Sequence, residues 1–331
     1  MDRAKTLFVA LTFAALALYP LFAGSFGIDL VTKTMIYAIF ALSLELLVGG
    51  TGLVCFGHAA FFGIGAYALV LLSASTGSGA LVWLLPSCIV AAAAYALFVG
   101  SLSLRTQGVY FIMVTLAFAQ MAYYVAHDTP VGGGTDGIYL TVTPILAGLD
   151  LSRSPTLYGF TLLCLAAAFG ALALLLRSRF GRALAGIRIN EQRMRAAGFS
   201  TYAYKLAAFV ISGALAGLAG ALFALKDGVV NPELIGWHLS GAVLIMVILG
   251  GIGHLRGALI GAFAFALLQE LFQSEAIFGA LAKHWHLGLG LAIIASVALL
   301  PRGIVGIPAQ VRQRLLGFKA TPRAEISDAV A

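Results

Sequence analysis

The chain has 331 residues, 61% hydrophobic and only 10% charged, with a mean hydropathy of +1.01, against roughly 45–50% and about 25% in soluble domains. That composition excludes an ordinary water-soluble enzyme and reads as an all-α, polytopic integral membrane protein, a single domain over residues 1–331 with room for about ten helical spans of ~20 residues. The net charge of +7 falls in loops between apolar segments, which excludes nucleic acid as the partner and points to membrane lipid and topology.

In chain order, the apolar stretches are 6–23, 30–48, 53–72, 81–104, 109–126, 157–176, 206–225, a short one at 239–249, 257–271 and 285–300. The first has the basic flank of a signal peptide in Arg3 and Lys5, but it is long for one and reads as a retained span. With the N-terminus inside and sides alternating, sixteen of the twenty Lys and Arg fall in cytoplasmic segments, including the basic tail 301–331. Seven acids, among them Asp128, Asp136 and Asp150, fall outside. This asymmetry predicts ten spans with both termini cytoplasmic.

The longest polar interruption is 177–205, with seven basic residues and one acid, Glu191. Asn190 predicts an N-cap, Glu191 complements the positive end of the helix it starts, and Gly198 predicts its stop about two turns later. Glu191, Gln192 and Arg195 are expected on one face of that helix and Met194 and Ala197 on the other, with Glu191 bridging Arg195 at i,i+4. Such a short, capped, basic helix between spans reads as a docking element. The simpler reading is a loop that only holds topology.

Small residues four apart, Ala59 with Gly63, Gly213 with Gly217, Ala216 with Gly220 and Gly257 with Gly261, predict close helix packing. GGTG at 49–52 and GGIG at 250–253 form a short internal echo at predicted cytoplasmic turns, a pattern met in transporters built from repeats. Cys55, Cys88 and Cys164 share no short spacing and read as small buried hydrophobes.

Ion-coupled transport needs intramembrane carboxylates or histidines. Within the spans only Glu45 and Glu270, both near ends, and His58 qualify, so no relay is apparent. His58 reads first as hydrogen-bonded structure and second as a switch. His284 and His286 flank Trp285 without a third ligand nearby, so no metal is assigned. No GxxxxGK[ST] loop is present, so ATP, if used, belongs to another subunit and the chain itself holds no cofactor.

Taken together, GLVCFGHAAFFGIGAYALVLL, LSLRTQGVYFIMVTLAFAQM, GGGTDGIYL, FGRALAGIRINEQRMRAAGFSTYAYKLAAFVISGALAGLAGAL and ILGGIGHLRGALIGA with LLPRGIVG span roughly 30–306. In that order they resemble the inner-membrane permeases of branched-chain amino acid ABC importers, most closely the LivM-like subunit. The resemblance implies a bacterial inner-membrane transport subunit, not an enzyme, paired with a second related permease, two ATP-binding subunits and an extracytoplasmic substrate-binding protein. It also implies that the 177–205 loop couples to the ATPase, with Phe180, Gly181, Arg188, Asn190, Glu191, Ala197 and Gly198 matching the motif. His58, Gly63, Gln120, Thr135 and Asp136 are candidates for the pathway or gate; the last two lie in the long, glycine-rich outer loop 127–156. Cys55, Phe56 and His254 to Arg256 depart from the pattern, which bears on fine substrate preference. Branched-chain or other hydrophobic amino acids lead as substrate, with urea or short amides as the alternative. An ATPase-independent secondary transporter and a polytopic membrane enzyme are the readings from other classes, disfavoured by the loop and by the lack of a titratable cluster.

Overall fold

The computed structural model describes residues 3–77, 79–142, 144–146, 149–274, 283–300 and 303–306; the predicted basic tail, apart from 303–306, lies outside them. Helices dominate: α1 (Arg3–Leu18), α2 (Ser25–Thr51), α3 (His58–Thr76), α4 (Leu81–Ser103), α5 (Val109–Asp128), α6 (Ser154–Arg177), α7 (Arg179–Ile189), α8 (Glu191–Ala196), α9 (Thr201–Asp227), α10 (Trp237–Gly250), α11 (Leu255–Gln273) and α12 (Trp285–Leu299). Among the described residues, α2–α6, α9 and α11 are long and apolar enough to cross a membrane, seven in all.

The centre of the bundle is α2. From Met35 to Leu47 its apolar side chains are fully buried apart from the half-buried Tyr37, as expected for a helix that is hydrophobic on every side. Beside it lies α9, which packs on α2, α3 and α4. The small-residue stripes explain how α9 approaches two neighbours at once. A Cβ on Gly213 or Gly217 would come within 2.4 or 2.3 Å of Ala96 or Ala92 on α4, and one on Gly220 within 1.8 Å of the Phe62 carbonyl on α3. Gly65 meets the Gly217 backbone as closely, and Gly261 meets the Met246 carbonyl across the α10–α11 pair. In lipid, where no water is released between helices, this backbone proximity supplies the dispersion that holds them together.

Several features differ from expectation. The third span starts at His58 rather than at 53, because Gly52 takes a left-handed φ of +77° that ends α2, and the chain stays irregular to Gly57. Gly57 lies so close to the Thr115 carbonyl on α5 that a side chain there would overlap it. The first span closes early, with Tyr19–Leu21 forming a 3-10 turn around Pro20. Finally, the all-α expectation gains four two-residue strands at the end opposite α8: β1 (Ile138–Tyr139) pairs with β4 (Val229–Val230), and β2 (Ile145–Leu146) with β3 (Leu149–Asp150), all antiparallel. They satisfy backbone groups in the long loops that sequence periodicity leaves unassigned.

After β4 the chain turns inward. The 3-10 turn Pro232–Ile235 packs Ile235 onto Gly63, and Ser240 on the first turn of α10 accepts a hydrogen bond from the Ala59 amide at 2.9 Å. The short α10 thus begins inside the bundle, where irregular backbone is tolerated because protein covers it.

Candidate functional site: the docking platform and the apolar cavity

The 177–205 segment folds as two helices, not one. Ser178 caps α7, accepting from the Gly181 amide, and α7 turns Ala183, Leu184 and Ile187 inward with its arginines outward. That i, i+1, i+4 apolar set among arginines was the signal for α7 that the predicted single helix left unused. Phe180 stacks on Tyr204 of α9 at 5.5 Å between centroids, and Gly181 sits against the Leu176 carbonyl, where any side chain would overlap.

Asn190 then does what its position predicts: its side chain accepts from the Arg193 amide at 2.9 Å and starts α8. Gly198, at φ +86°, ends it. The Gly198 amide donates to the Arg195 carbonyl at 2.9 Å and the Phe199 amide to the Met194 carbonyl at 3.1 Å, the paired bonds of a Schellman cap. Of the two expected faces, only part is observed: Glu191 and Met194 turn inward, Met194 packing beside Gly186, whereas Gln192, Arg195 and Ala197 are exposed.

Glu191 is the anchor of this platform. Its Oε1 accepts from Arg195 Nη2 at 2.7 Å and from Thr201 Oγ1 at 3.0 Å, and its Oε2 accepts from Lys205 Nζ at 2.7 Å. Arg195 Nε also donates to Thr201 Oγ1. Partial burial by itself raises the carboxyl pKa, but the hydrogen bonds from Lys205 and Arg195 outweigh it and hold the group down at about 2. Charge-assisted bonds of this kind contribute about 1.5–3 kcal/mol each before solvent screening reduces them. The expected i,i+4 bridge is therefore present, and Lys205, which is itself buried, ties α8 to the first turns of α9. Lys205 and Thr201 were not singled out in sequence because their distance from Glu191 belongs to no helical period.

Arg188 leaves α7 in another direction and donates to the Gly49 carbonyl at the end of α2. Its side chain also lies within 3.5 Å of the Cβ positions of Gly52 and Gly253. The two echoing glycine motifs, 49–52 and 250–253, thus meet around one arginine.

Toward the opposite end, α3, α4 and α5 border an open cleft of about 350 Å³ lined almost wholly by apolar atoms, among them Ile64, Tyr67, Tyr95, Phe118, Met121 and Ile235. Both tyrosine hydroxyls are spent on backbone carbonyls, Tyr67 on Gly132 and Tyr95 on Phe118, so their rings face the space. Gly63 borders this region through Ile235, and Gln120, half-buried on α5, does not line it. Thr135 and Asp136 are exposed in a 3-10 turn beyond it. His58 is fully buried elsewhere: Nε2 pairs with Ser43 Oγ at 2.8 Å, its ring stacks on Phe40 at 5.3 Å, and Nδ1 has no partner. Among the described residues no group of three His, Cys, Asp or Glu is placed to hold a metal ion.

Residues 27–297 match the family model described as the permease component of branched-chain amino acid transport systems. The chain belongs to that permease family. It is 34% identical over 296 residues to the high-affinity branched-chain amino acid transport system permease protein LivM of Escherichia coli, covering 82% of this chain and 69% of that relative. Against the corresponding LivH of Escherichia coli it is 25% identical, covering 84% and 94%. A probable LivH from Methanocaldococcus jannaschii is 29% identical over 182 residues, covering 52% and 56%. No solved structure matches significantly. The chain is accordingly a multi-pass membrane transport subunit, and the α7–α8 segment and the apolar cleft belong to a permease.

Proposed function

We propose that this permease carries branched-chain or other hydrophobic amino acids inward across the bacterial inner membrane, driven by ATP hydrolysed on two partner subunits that grip the α7–α8 platform. In this reading it pairs with a second related permease and receives substrate from an extracytoplasmic binding protein. The observation that carries the reading is the platform itself: a capped, exposed α8 clamped to α9 through Glu191, preceded by α7 clamped to α2 through Arg188. A loop that only held topology would need the charges but not the clamp. The coupling residues are Phe180, Gly181, Arg188, Asn190, Glu191, Ala197 and Gly198, of which Arg188, Asn190, Ala197 and Gly198 are exposed to a partner while Phe180, Gly181 and Glu191 hold the platform's shape. In this reading the seven long helices and the shorter apolar helices Val9–Leu21, Trp237–Gly250 and Trp285–Ser296 serve as ten spans of one domain, with both termini cytoplasmic.

The apolar cavity favours an aliphatic side chain over urea, which offers polar atoms that this lining does not match. Gly63 supports its floor through Ile235; Thr135 and Asp136 lie at the outer mouth, and Gln120 and His58 act in the pathway only if the spans move. The deciding experiment is uptake of labelled leucine and labelled urea in a strain lacking its own system, with the whole complex expressed. Leucine uptake that requires the ATPase subunits is expected. Uptake that persists when those subunits are inactivated refutes ATP coupling, and urea as the preferred substrate refutes the cavity assignment. The purified chain alone is expected to show no ATP hydrolysis.

A further inference from the structure

The platform's second clamp leads to a residue that neither the docking loop nor the cavity uses. Glu45 on α2 is buried, at 2% exposure. Its Oε1 accepts from the Gly253 amide at 2.7 Å, joining positions 208 residues apart, while its Oε2 is buried with no hydrogen bond of good geometry, the His254 amide being the neighbouring backbone donor. Gly253 lies in the turn between α10 and α11, at φ +90°. One helical turn beyond Glu45, Gly49 gives its carbonyl to Arg188 of α7, and the Arg188 guanidinium reaches the edge of the Gly253 turn as well. The fit is close: a Cβ at Gly49 would stand 2.1 Å from Glu45 Oε1 and 3.1 Å from the Gly253 Cα.

A buried carboxylate oxygen left without a donor is costly, and such groups are tolerated where a second arrangement supplies the partner. Here Arg188 is near enough to attract the carboxylate, yet the hydrogen bond it makes to α2 goes to a neighbouring carbonyl. We infer that Glu45 is a positioning residue that relays motion of the α7–α8 platform to the α10–α11 turn, with Arg188 exchanging the Gly49 carbonyl for the free Glu45 oxygen as the platform shifts. The exchange is a choice between two acceptors one helical turn apart on α2, so a displacement of α7 along that helix selects one or the other. Because Glu45 also holds the Gly253 amide, its repositioning moves the turn that joins two spans. This inference rests on the platform being the ATPase contact.

Glu45→Gln tests it in the whole complex in proteoliposomes. The amide keeps an oxygen for the Gly253 amide but replaces the free acceptor with a donor that repels Arg188. The expected result is normal assembly with the ATPase and normal basal hydrolysis, but at least a tenfold loss of substrate-stimulated hydrolysis and of uptake. A merely structural Glu45 gives one of two other results, either of which overturns the inference: full coupling, since the Gly253 bond is kept, or failure to assemble. Gly49→Ala supplies a second check, since its methyl displaces the same carboxylate while the residue keeps its backbone carbonyl for Arg188; uncoupling is expected there too, and a coupled Gly49→Ala protein counts against the relay. Loss of the ATPase from complexes altered within α8, not at Glu45, is the readout for the docking reading, so the two fail separately.

Discussion

Replacing Gly198 by valine tests the docking platform with the least disturbance elsewhere. Gly198 sits at φ +86° with nothing within 4 Å of its Cβ position, so valine meets no clash and the cost is in the backbone alone. An L-residue held left-handed costs about 1–2 kcal/mol, and β-branching adds to it. The chain escapes that cost only by giving up the two cap bonds, from the Gly198 and Phe199 amides, at roughly 0.5–1.5 kcal/mol each. The two cap bonds together are worth about 1–3 kcal/mol, and because the chain takes the cheaper route about 1–2 kcal/mol is lost locally. That is small beside the ~5–15 kcal/mol that holds a domain together but shifts the equilibrium of the docking-competent platform about five- to thirtyfold. Membrane insertion and expression should therefore stay near normal while ATPase co-purification and substrate-stimulated hydrolysis fall by about that factor. Gly198→Asn, which tolerates the left-handed region, should retain most of both. Normal uptake with full ATPase retention in Gly198→Val would refute the platform's role.

Protonation offers an independent handle on the same anchor. The Glu191 carboxyl, lowered from its ordinary 4.5 to about 2, gives stabilisation that is complete above 4.5 and lost as pH falls toward 2; a spin label at Gln192→Cys should report α8 loosening over that interval, and Glu191→Gln should be loose throughout. Gly220→Leu drives a side chain into the Phe62 carbonyl and is expected to cost at least about 1–3 kcal/mol, read as a lower melting temperature of the detergent-solubilised protein; an unchanged value would show that α3 and α9 are not in backbone contact. For topology, an impermeant thiol reagent should label Thr135→Cys only from outside and Arg193→Cys only from the cytoplasm, and the reverse pattern would invert the assignment.

What the residue order alone determined are the features decided within about four positions. Apolar runs of sufficient length mark the spans, Asn190 and Gly198 bracket α8, and Glu191 with Arg195 share a helical face, because capping, left-handed termination and i,i+4 pairing depend only on near neighbours. Small-residue pairs likewise announced close packing, though not which helices would meet. Partners far apart in the chain came only with the tertiary structure: Lys205 on Glu191, Arg188 on Gly49 and Glu45 on Gly253. So did the break after Gly52 and the inward turn that seats Ile235 on Gly63. A helix in lipid satisfies its own backbone whatever it packs against, so hydropathy and spacing are silent about its neighbours. Those are chosen by side-chain fit along whole helix faces, where a single glycine such as Gly65 or Gly220 decides how near two backbones come.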